Sequence, residues 1–216
     1  MNDALFLPEA ALASYLETHI AGFSGPLNAT KFKGGQSNPT YLLEAASGKY
    51  VLRRKPPGKL LASAHAVDRE YRVLGALQNT DVPIARPLYL CTDEAIIGSV
   101  FYLMEYVPGR IFWDPALPEL SPEARGAHYS AALAALVALA QIDVAAAGLS
   151  DYGKPGNYFS RQVSRWTEQY RAAETERLEA METLIGWLPG ALPPDDRRVA
   201  LVHGDFRIDN LIWDAN

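Results

Sequence analysis

The part of the chain best suited to chemistry is a polar loop near its end, His203 to Asn210. It follows the apolar run 199–202 and precedes a second one, 211–213, so we expect a strand, a loop and another strand. An Asp that receives a hydroxyl proton and an Asn that binds Mg²⁺ have this spacing in phosphoryl-transfer loops. Asp205 and Asn210 fit those two roles. The alternative is a loop in which both residues only satisfy turn backbone groups.

Glu70 is the second candidate, because it lies on the apolar face of a predicted helix over residues 67–78. It shares that face with Val67 and Leu74. A carboxylate there is costly unless a cation pairs with it. Arg53, near the end of the preceding strand, is the expected partner, and the pair would direct a cation at nucleotide phosphates. The alternative is that Glu70 lies at the edge of the stripe and reaches solvent.

A glycine-containing turn at residues 34–38 is a weaker candidate. Glycines allow backbone N–H groups to approach phosphate oxygens closely, and Ser37 adds a hydroxyl donor. An ordinary hairpin explains the same residues equally well, since no established phosphate-loop motif is present.

The segment from Met104 to Val107 ends a predicted strand at the boundary between the two halves of the chain. An extended backbone at this point could hydrogen-bond an adenine edge, with apolar side chains as walls. An ordinary edge strand is the alternative.

Composition excludes several classes of protein. A net charge of −5 argues against non-specific nucleic-acid binding. The single cysteine, Cys91, rules out an intrachain disulfide and is typical of a reducing compartment. The longest apolar stretch, residues 131–140, is about half of the ~20 residues that span a bilayer. With no signal-peptide pattern at the N-terminus, we expect a cytoplasmic protein without a membrane partner.

The order of predicted elements indicates an α+β protein with two lobes, 1–107 and 108–216. Hydrophobic periodicity predicts a mixed first lobe, a helical second lobe and a cleft between them. The predicted helices are 8–22, 67–78, 121–143, 158–173 and 176–188, and the predicted strands before residue 199 are 30–32, 40–43, 50–53, 86–91 and 100–107.

These motifs together resemble the aminoglycoside phosphotransferase/choline kinase superfamily, relatives of the protein kinases. Within it, the chain looks most like phosphotransferase domains found with, or fused to, acyl-CoA dehydrogenases. The residues that carry the resemblance are 34–38 with Tyr41, 50–58, 69–71, 104–110, 156–158 with Trp166, and 203–210. The resemblance implies a protein-kinase-like two-lobe fold, with an N-terminal antiparallel sheet and a mostly helical, C-terminally truncated second lobe.

The resemblance also implies roles for individual residues, with ATP and Mg²⁺ as cofactors and a small-molecule hydroxyl compound as partner. Arg53 would take the place of the usual strand lysine, which is a departure, although a guanidinium suits phosphate. The other implied roles are phosphate covering by Gly35, Gln36 and Ser37, pairing with Arg53 by Glu70, adenine binding by backbone groups of Glu105 and Val107, proton acceptance by Asp205 and metal binding by Asn210.

Three hypotheses about function follow. The first is an ATP-dependent phosphotransferase that acts on a hydroxyl, with a hydroxyacyl-CoA a better guess than an aminoglycoside. The second is a catalytically incomplete nucleotide-binding or regulatory module, because the family's second metal-binding Asp would lie beyond Asn216. The third is a metal-dependent hydrolase using His203 and Asp205, for which the sequence offers no further ligands.

Overall fold

The computed structural model describes residues 6–32, 38–56, 66–194 and 198–214, and it shows the α+β architecture that the sequence predicts. Up to α5 the elements follow the predicted order, with ends shifted by a few residues. The elements are α1 (Glu9–His19), β1 (Leu27–Lys31), β2 (Thr40–Ala45), β3 (Gly48–Arg54), α2 (Val67–Leu77), β4 (Pro87–Cys91), β5 (Phe101–Glu105), α3 (Pro122–Ala140), α4 (Tyr158–Ala173) and α5 (Glu179–Trp187).

The five strands form one antiparallel sheet in the order β1-β2-β3-β5-β4. β5 therefore pairs with β3 as well as with β4, and Arg53 lies directly opposite Tyr102. Side chains alternate between the two faces of a strand. Arg53 and Tyr102 consequently share a face, while Leu52 and Leu103, which also lie opposite each other, share the other.

The two faces of the sheet pack against different helices. One face forms a core with α1, in which Leu12 and Leu16 are fully buried. The opposite face packs against α2, where Val67 contributes to a smaller cluster that includes Tyr102. Glu70 lies one turn after Val67 on α2, so this packing brings its side chain towards the sheet face that carries Arg53.

Contacts divide the chain into two compact units, residues 1–140 with 203–216 and residues 141–202. The first unit contains the sheet, α1 to α3 and the loop from His203 to Asn210. The second contains α4 and α5. The predicted lobes, 1–107 and 108–216, stay a prediction. Within the described ranges, no helix combines the length and apolar character that crossing a bilayer requires.

An ion pair joins α4 to α5 and gives the second unit a testable pH dependence. The Arg171 guanidinium donates to both carboxylate oxygens of Glu182, and its Nη2 lies 2.7 Å from Glu182 Oε2. This contact holds the pKa of the Glu182 carboxyl below its ordinary value. Such a carboxyl stabilises the folded state fully at pH values above its pKa in the unfolded chain, which is about 4.3 for Glu. This stabilisation is lost as the pH falls through the lower pKa of the folded state.

We therefore expect Glu182→Gln to lower the urea midpoint of the protein at pH 7, with the difference from the wild type shrinking towards zero near pH 3. Circular dichroism measures both midpoints. Glu176→Gln is the control, since Glu176 is an exposed carboxylate of the same unit. A difference for Glu182→Gln that does not change with pH would contradict the ion-pair explanation.

Candidate functional site

The predicted strands on either side of the loop are wrong. Residues 199–202 and 211–212 form no strand ladder, and Val199 and Val202 are exposed. Trp213 forms one isolated antiparallel bridge with Arg110, with N–H to carbonyl distances of 2.7 and 2.9 Å. A strand requires a neighbour for its backbone groups, and apolar character alone does not supply one.

The loop is anchored by glycine conformation and by a buried side chain. Gly204 has φ +82°, a left-handed conformation that glycine adopts without strain. A 3-10 turn then runs over Ile208–Asn210. Ile208 is buried together with Ala132 of α3 and with Phe112 and Leu117, which lie in the segment before α3. Asp205 and Asn210 therefore lie on a short polar segment held against the first unit by its central apolar residue.

Asn210 is bound directly to Asp205. Its Nδ2 donates to the Asp205 backbone oxygen at 2.8 Å and to Asp205 Oδ2 at 3.0 Å. The Asn210 Oδ1 oxygen is then left to serve as a ligand. Mg²⁺ prefers oxygen donors and is commonly held by one or two carboxylates together with substrate phosphates. Asp205 and Asn210 fit that donor set.

Further ligands for a metal would have to come from outside this pair. Over the described stretches of sequence, no three His, Cys, Asp or Glu side chains are grouped to hold a metal ion. Phosphate oxygens of a bound nucleotide supply the remaining ligands at sites of this type.

The Asp205 carboxylate is oriented from two sides and otherwise open to solvent. Arg207 Nε lies 3.4 Å from Asp205 Oδ1, and the Arg207 guanidinium also donates to Asp209 Oδ2 at 2.8 Å. The backbone N–H of Asp205 donates to His203 Nδ1 at 3.3 Å. This arrangement orients the Asp205 carboxylate and leaves it exposed to solvent. Sequence reasoning missed Arg207, although a cation two residues from the Asp was a visible signal.

The expected ion pair between Arg53 and Glu70 is present and belongs to a larger network. Arg53 Nε donates to Glu70 Oε2 at 2.7 Å, and the two side chains are 30% and 34% exposed. Asn38 Nδ2 donates to Glu70 Oε1 at 2.7 Å, and the Tyr102 hydroxyl donates to Oε2 at 3.2 Å. Arg53 also contacts the Thr40 hydroxyl at 3.3 Å. Sequence reasoning did not anticipate the contacts of Asn38, Thr40 and Tyr102 with this ion pair.

The network has a clear electrostatic consequence. Burial, helped by the Glu70 carboxylate, raises the pKa of Tyr102, so its hydroxyl stays protonated and donates. Glu70 holds Arg53 mainly through Nε, whereas the two outer nitrogens make longer contacts of 3.3 and 3.5 Å. The outer nitrogens of the Arg53 guanidinium can therefore donate hydrogen bonds to a phosphate without breaking the ion pair with Glu70.

Glu105 and Val107 differ in the backbone groups that they can offer to a ligand. The Glu105 N–H donates to the Arg86 carbonyl at 2.9 Å, and the Glu105 carboxylate accepts from the Arg86 N–H at 2.9 Å. The Glu105 N–H is thus already engaged. The Val107 N–H has no backbone partner among the residues that the structure describes. A carbonyl at 105 and an N–H at 107 match the donor and acceptor edge of adenine, and this role stays a prediction.

The predicted phosphate-covering residues, Gly35, Gln36 and Ser37, lie outside the described residues. Asn38 follows them directly and is the last residue of the predicted turn. It is described by the structure, and its side chain is buried against Glu70.

Gly109, which follows β5, packs closely against residues 212 and 213 at the end of the loop that carries Asp205. A Cβ built on Gly109 would lie 2.5 Å from Ile212 Cγ2 and 2.7 Å from the Trp213 carbonyl oxygen. We therefore expect Gly109→Ala to displace the 212–213 segment, weaken the bridge between Arg110 and Trp213, and lower the free energy of unfolding by about 1–3 kcal/mol. Urea denaturation measures this loss.

Gly126→Ala is the matched control for that substitution, because nothing lies within 4 Å of its Cβ position in α3. We expect this control to be neutral or to stabilise the protein by up to about 1 kcal/mol. Equal destabilisation by both substitutions would contradict the close packing at Gly109.

Comparisons with known proteins show the family of the chain. The sequence profile of the phosphotransferase enzyme family matches residues 28–216. Mouse acyl-CoA dehydrogenase family member 10 is 50% identical over 99% of the chain and 20% of its own length. Human acyl-CoA dehydrogenase family member 11 is 42% identical over 94% of the chain and 26% of its own length. The chain thus spans about a fifth to a quarter of these relatives.

A solved structure from Ralstonia eutropha, provisionally named as an aminoglycoside phosphotransferase, shares the fold with a TM-score of 0.82 and 47% identity. The match covers 95% of this chain and 60% of that one. The kinase-like fold expected from the resemblance is therefore confirmed. With the profile match over most of its length, the chain belongs to the phosphotransferase enzyme family.

Proposed function

We propose that this chain binds ATP and Mg²⁺ and transfers the γ-phosphoryl group to a hydroxyl of a small molecule. The observation that carries the proposal is the hydrogen-bonded pair of Asp205 and Asn210. It places a proton acceptor and an oxygen ligand side by side on one anchored loop. The family match supports phosphoryl transfer as the reaction class.

The residues of the site have separate tasks in this mechanism. Asp205 accepts the proton of the substrate hydroxyl as its oxygen bonds to the γ-phosphorus, and the bond to the bridging oxygen breaks with its electron pair on ADP. The outer edge of Arg53 binds phosphate oxygens, while Glu70 keeps it in place. Asn210 Oδ1 would help to hold Mg²⁺, which would neutralise phosphate charge. The Glu105 carbonyl and the Val107 N–H bind adenine.

We propose a hydroxyacyl-CoA as the acceptor. Support comes from the relatives, which are named as acyl-CoA dehydrogenase family members and match nearly the whole of this chain. An aminoglycoside is the alternative, because the solved relative carries that name.

The experiment incubates the chain with MgATP and each acceptor in turn, and detects phosphorylated product by mass spectrometry. We expect MgATP binding by calorimetry and a mass increase of one phosphoryl group on a hydroxyacyl-CoA, with none on kanamycin. Phosphorylation of kanamycin alone would overturn the acceptor. MgATP binding without any transfer would favour the nucleotide-binding module instead, and absence of MgATP binding would overturn the proposal as a whole.

A further inference from the structure

Three aromatic rings from separate segments of the first unit meet directly after the polar loop. Trp213 follows Asn210 by three residues. Its indole centroid lies 4.7 Å from the imidazole of His128 on α3 and 6.3 Å from the ring of Phe112. The rings of Phe112 and His128 meet edge to face, with their centroids 5.2 Å apart. The three rings therefore form a closed aromatic cluster, and the phosphoryl-transfer mechanism described above uses none of them.

The orientation of His128 is fixed by its own helix. Its Nδ1 atom lies 2.8 Å from the Ala124 carbonyl oxygen, one turn earlier in α3. A carbonyl oxygen only accepts hydrogen bonds, so Nδ1 carries the proton and donates. This bond and the edge-to-face contact with Phe112 together fix the plane of the imidazole. His128 consequently presents a fixed ring to Trp213.

The backbone by itself holds Trp213 only weakly. Its bridge to Arg110 consists of two hydrogen bonds, at 2.7 and 2.9 Å, and it is isolated because residues 211–212 form no ladder. The net contribution of one backbone hydrogen bond to stability is modest. Packing against His128 and Phe112 adds apolar contact with a preferred ring geometry. The position of Trp213 thus depends on the aromatic cluster as well as on the bridge.

Asn210 lies between the two points at which this part of the chain is held. Ile208, two residues before it, is buried in the core, and Trp213, three residues after it, belongs to the aromatic cluster. Asp205 lies before both points and has its own contact with Arg207. Loss of the second point is therefore expected to move Asn210 more than Asp205. A displacement of about 1 Å is enough to impair a positioned group, and metal ligands depend on the groups that orient them.

We propose that His128 is a positioning residue for Asn210. By packing against Trp213 it fixes the end of the loop, and with it the Asn210 Oδ1 oxygen that would help to hold Mg²⁺. The inference rests on the proposed function, because that function gives Asn210 its task. It extends the site to α3, a helix in which the sequence offered no candidate residue.

Tryptophan fluorescence tests the contact without any ligand. The other three tryptophans are 62–69% exposed, whereas Trp213 is half-buried. Subtracting the spectrum of Trp213→Phe from that of the unmodified chain therefore isolates the emission of Trp213, and the same subtraction serves in the His128→Ala background. We expect His128→Ala to shift this emission to longer wavelengths, because water reaches the indole. An unchanged emission would overturn the inference.

Calorimetry tests the metal task, with ADP titrated into the full chain in Mg²⁺ and, separately, in EDTA. We expect Mg²⁺ to tighten ADP binding to the wild type and His128→Ala to remove most of that tightening. ADP affinity in EDTA should change by less than about twofold. His128→Phe keeps a ring against Trp213 and is expected to restore the tightening. A merely structural role would lower stability without changing the ratio of the two ADP affinities.

His19→Ala is the matched control. The Nδ1 of His19 also lies close to the carbonyl oxygen four residues earlier, at 2.7 Å, and its ring also stacks on an aromatic ring, that of Tyr15. Tyr15 packs against a different core cluster from the one that contains Ile208. We therefore expect His19→Ala to leave both the Trp213 emission and the effect of Mg²⁺ on ADP binding unchanged.

Trp213→Leu removes the same contact from the side of the loop, and it replaces His128→Ala if circular dichroism shows that variant to be unfolded. It is expected to lose the tightening to the same extent. Full tightening by Mg²⁺ in either folded variant would overturn the inference. Absence of Mg²⁺-dependent ADP binding in the wild type would instead overturn the proposed function, and the inference with it.

Discussion

Replacement of Asp205 by Asn is expected to lower kcat by about 10²–10⁴-fold, the range for loss of a general base. The amide retains an oxygen that can accept from Asn210 Nδ2, so the hydrogen bond at 3.0 Å can persist. What is lost is the negative charge and the ability to take the hydroxyl proton. MgATP affinity is expected to fall much less, because Arg53 and the backbone at residues 105 and 107 are untouched.

Single-turnover phosphorylation of the acceptor, followed by mass spectrometry, measures this effect, and calorimetry with MgATP measures nucleotide affinity. Asp81→Asn provides the control, since Asp81 is an exposed carboxylate outside the site. A reduction of less than about tenfold in Asp205→Asn would show that Asp205 is not the proton acceptor.

Removal of the Glu70 carboxylate is expected to have the second large effect, on stability and nucleotide binding together. Glu70→Ala takes the acceptor from Arg53 Nε, Asn38 Nδ2 and the Tyr102 hydroxyl. Asn38 and Tyr102 are only 2% and 3% exposed, so water cannot replace the lost bonds easily. We expect a loss of about 2–4 kcal/mol in the free energy of unfolding, reduced from the fully buried case because Arg53 is partly exposed.

The same substitution releases Arg53 from its orientation, so MgATP affinity is expected to fall by about tenfold or more. Urea denaturation and calorimetry measure the two effects. Glu44→Ala is a close match, because Glu44 also pairs with a β3 cation, Lys49, but with both side chains about half exposed. That control is expected to cost less than about 1 kcal/mol. Equal losses for Glu44→Ala and Glu70→Ala would contradict the network.

Local patterns were sufficient for much of the site. The spacing of Asp205 and Asn210 was visible in the sequence, and the structure joins them by hydrogen bonds across five residues. Glu70 was found because helical periodicity put a carboxylate on an apolar face. Arg53 was found as the cation on the preceding strand. In each case the signal lay within one element or between neighbouring ones, where backbone geometry fixes the direction of side chains.

Sequence reasoning failed where a segment required a distant partner. The apolar runs around the loop resembled strands, but among their described residues only Trp213 forms a bridge to another segment, at Arg110. Hydrophobic character predicts burial and gives no information about whether a neighbouring strand is available.

The sequence by itself determined the α+β class and the candidate residues of the site, because these follow from local periodicity and motif spacing, and the resemblance of its motifs indicated the family. Only the tertiary structure decided which side chains complete the Glu70 network. Asn38 and Tyr102 each lie 32 positions from Glu70 along the chain. Asn38 precedes β2 and Tyr102 lies on β5, and these two strands pair with β3 on its two sides. The order of strands in a sheet results from packing that no local pattern records.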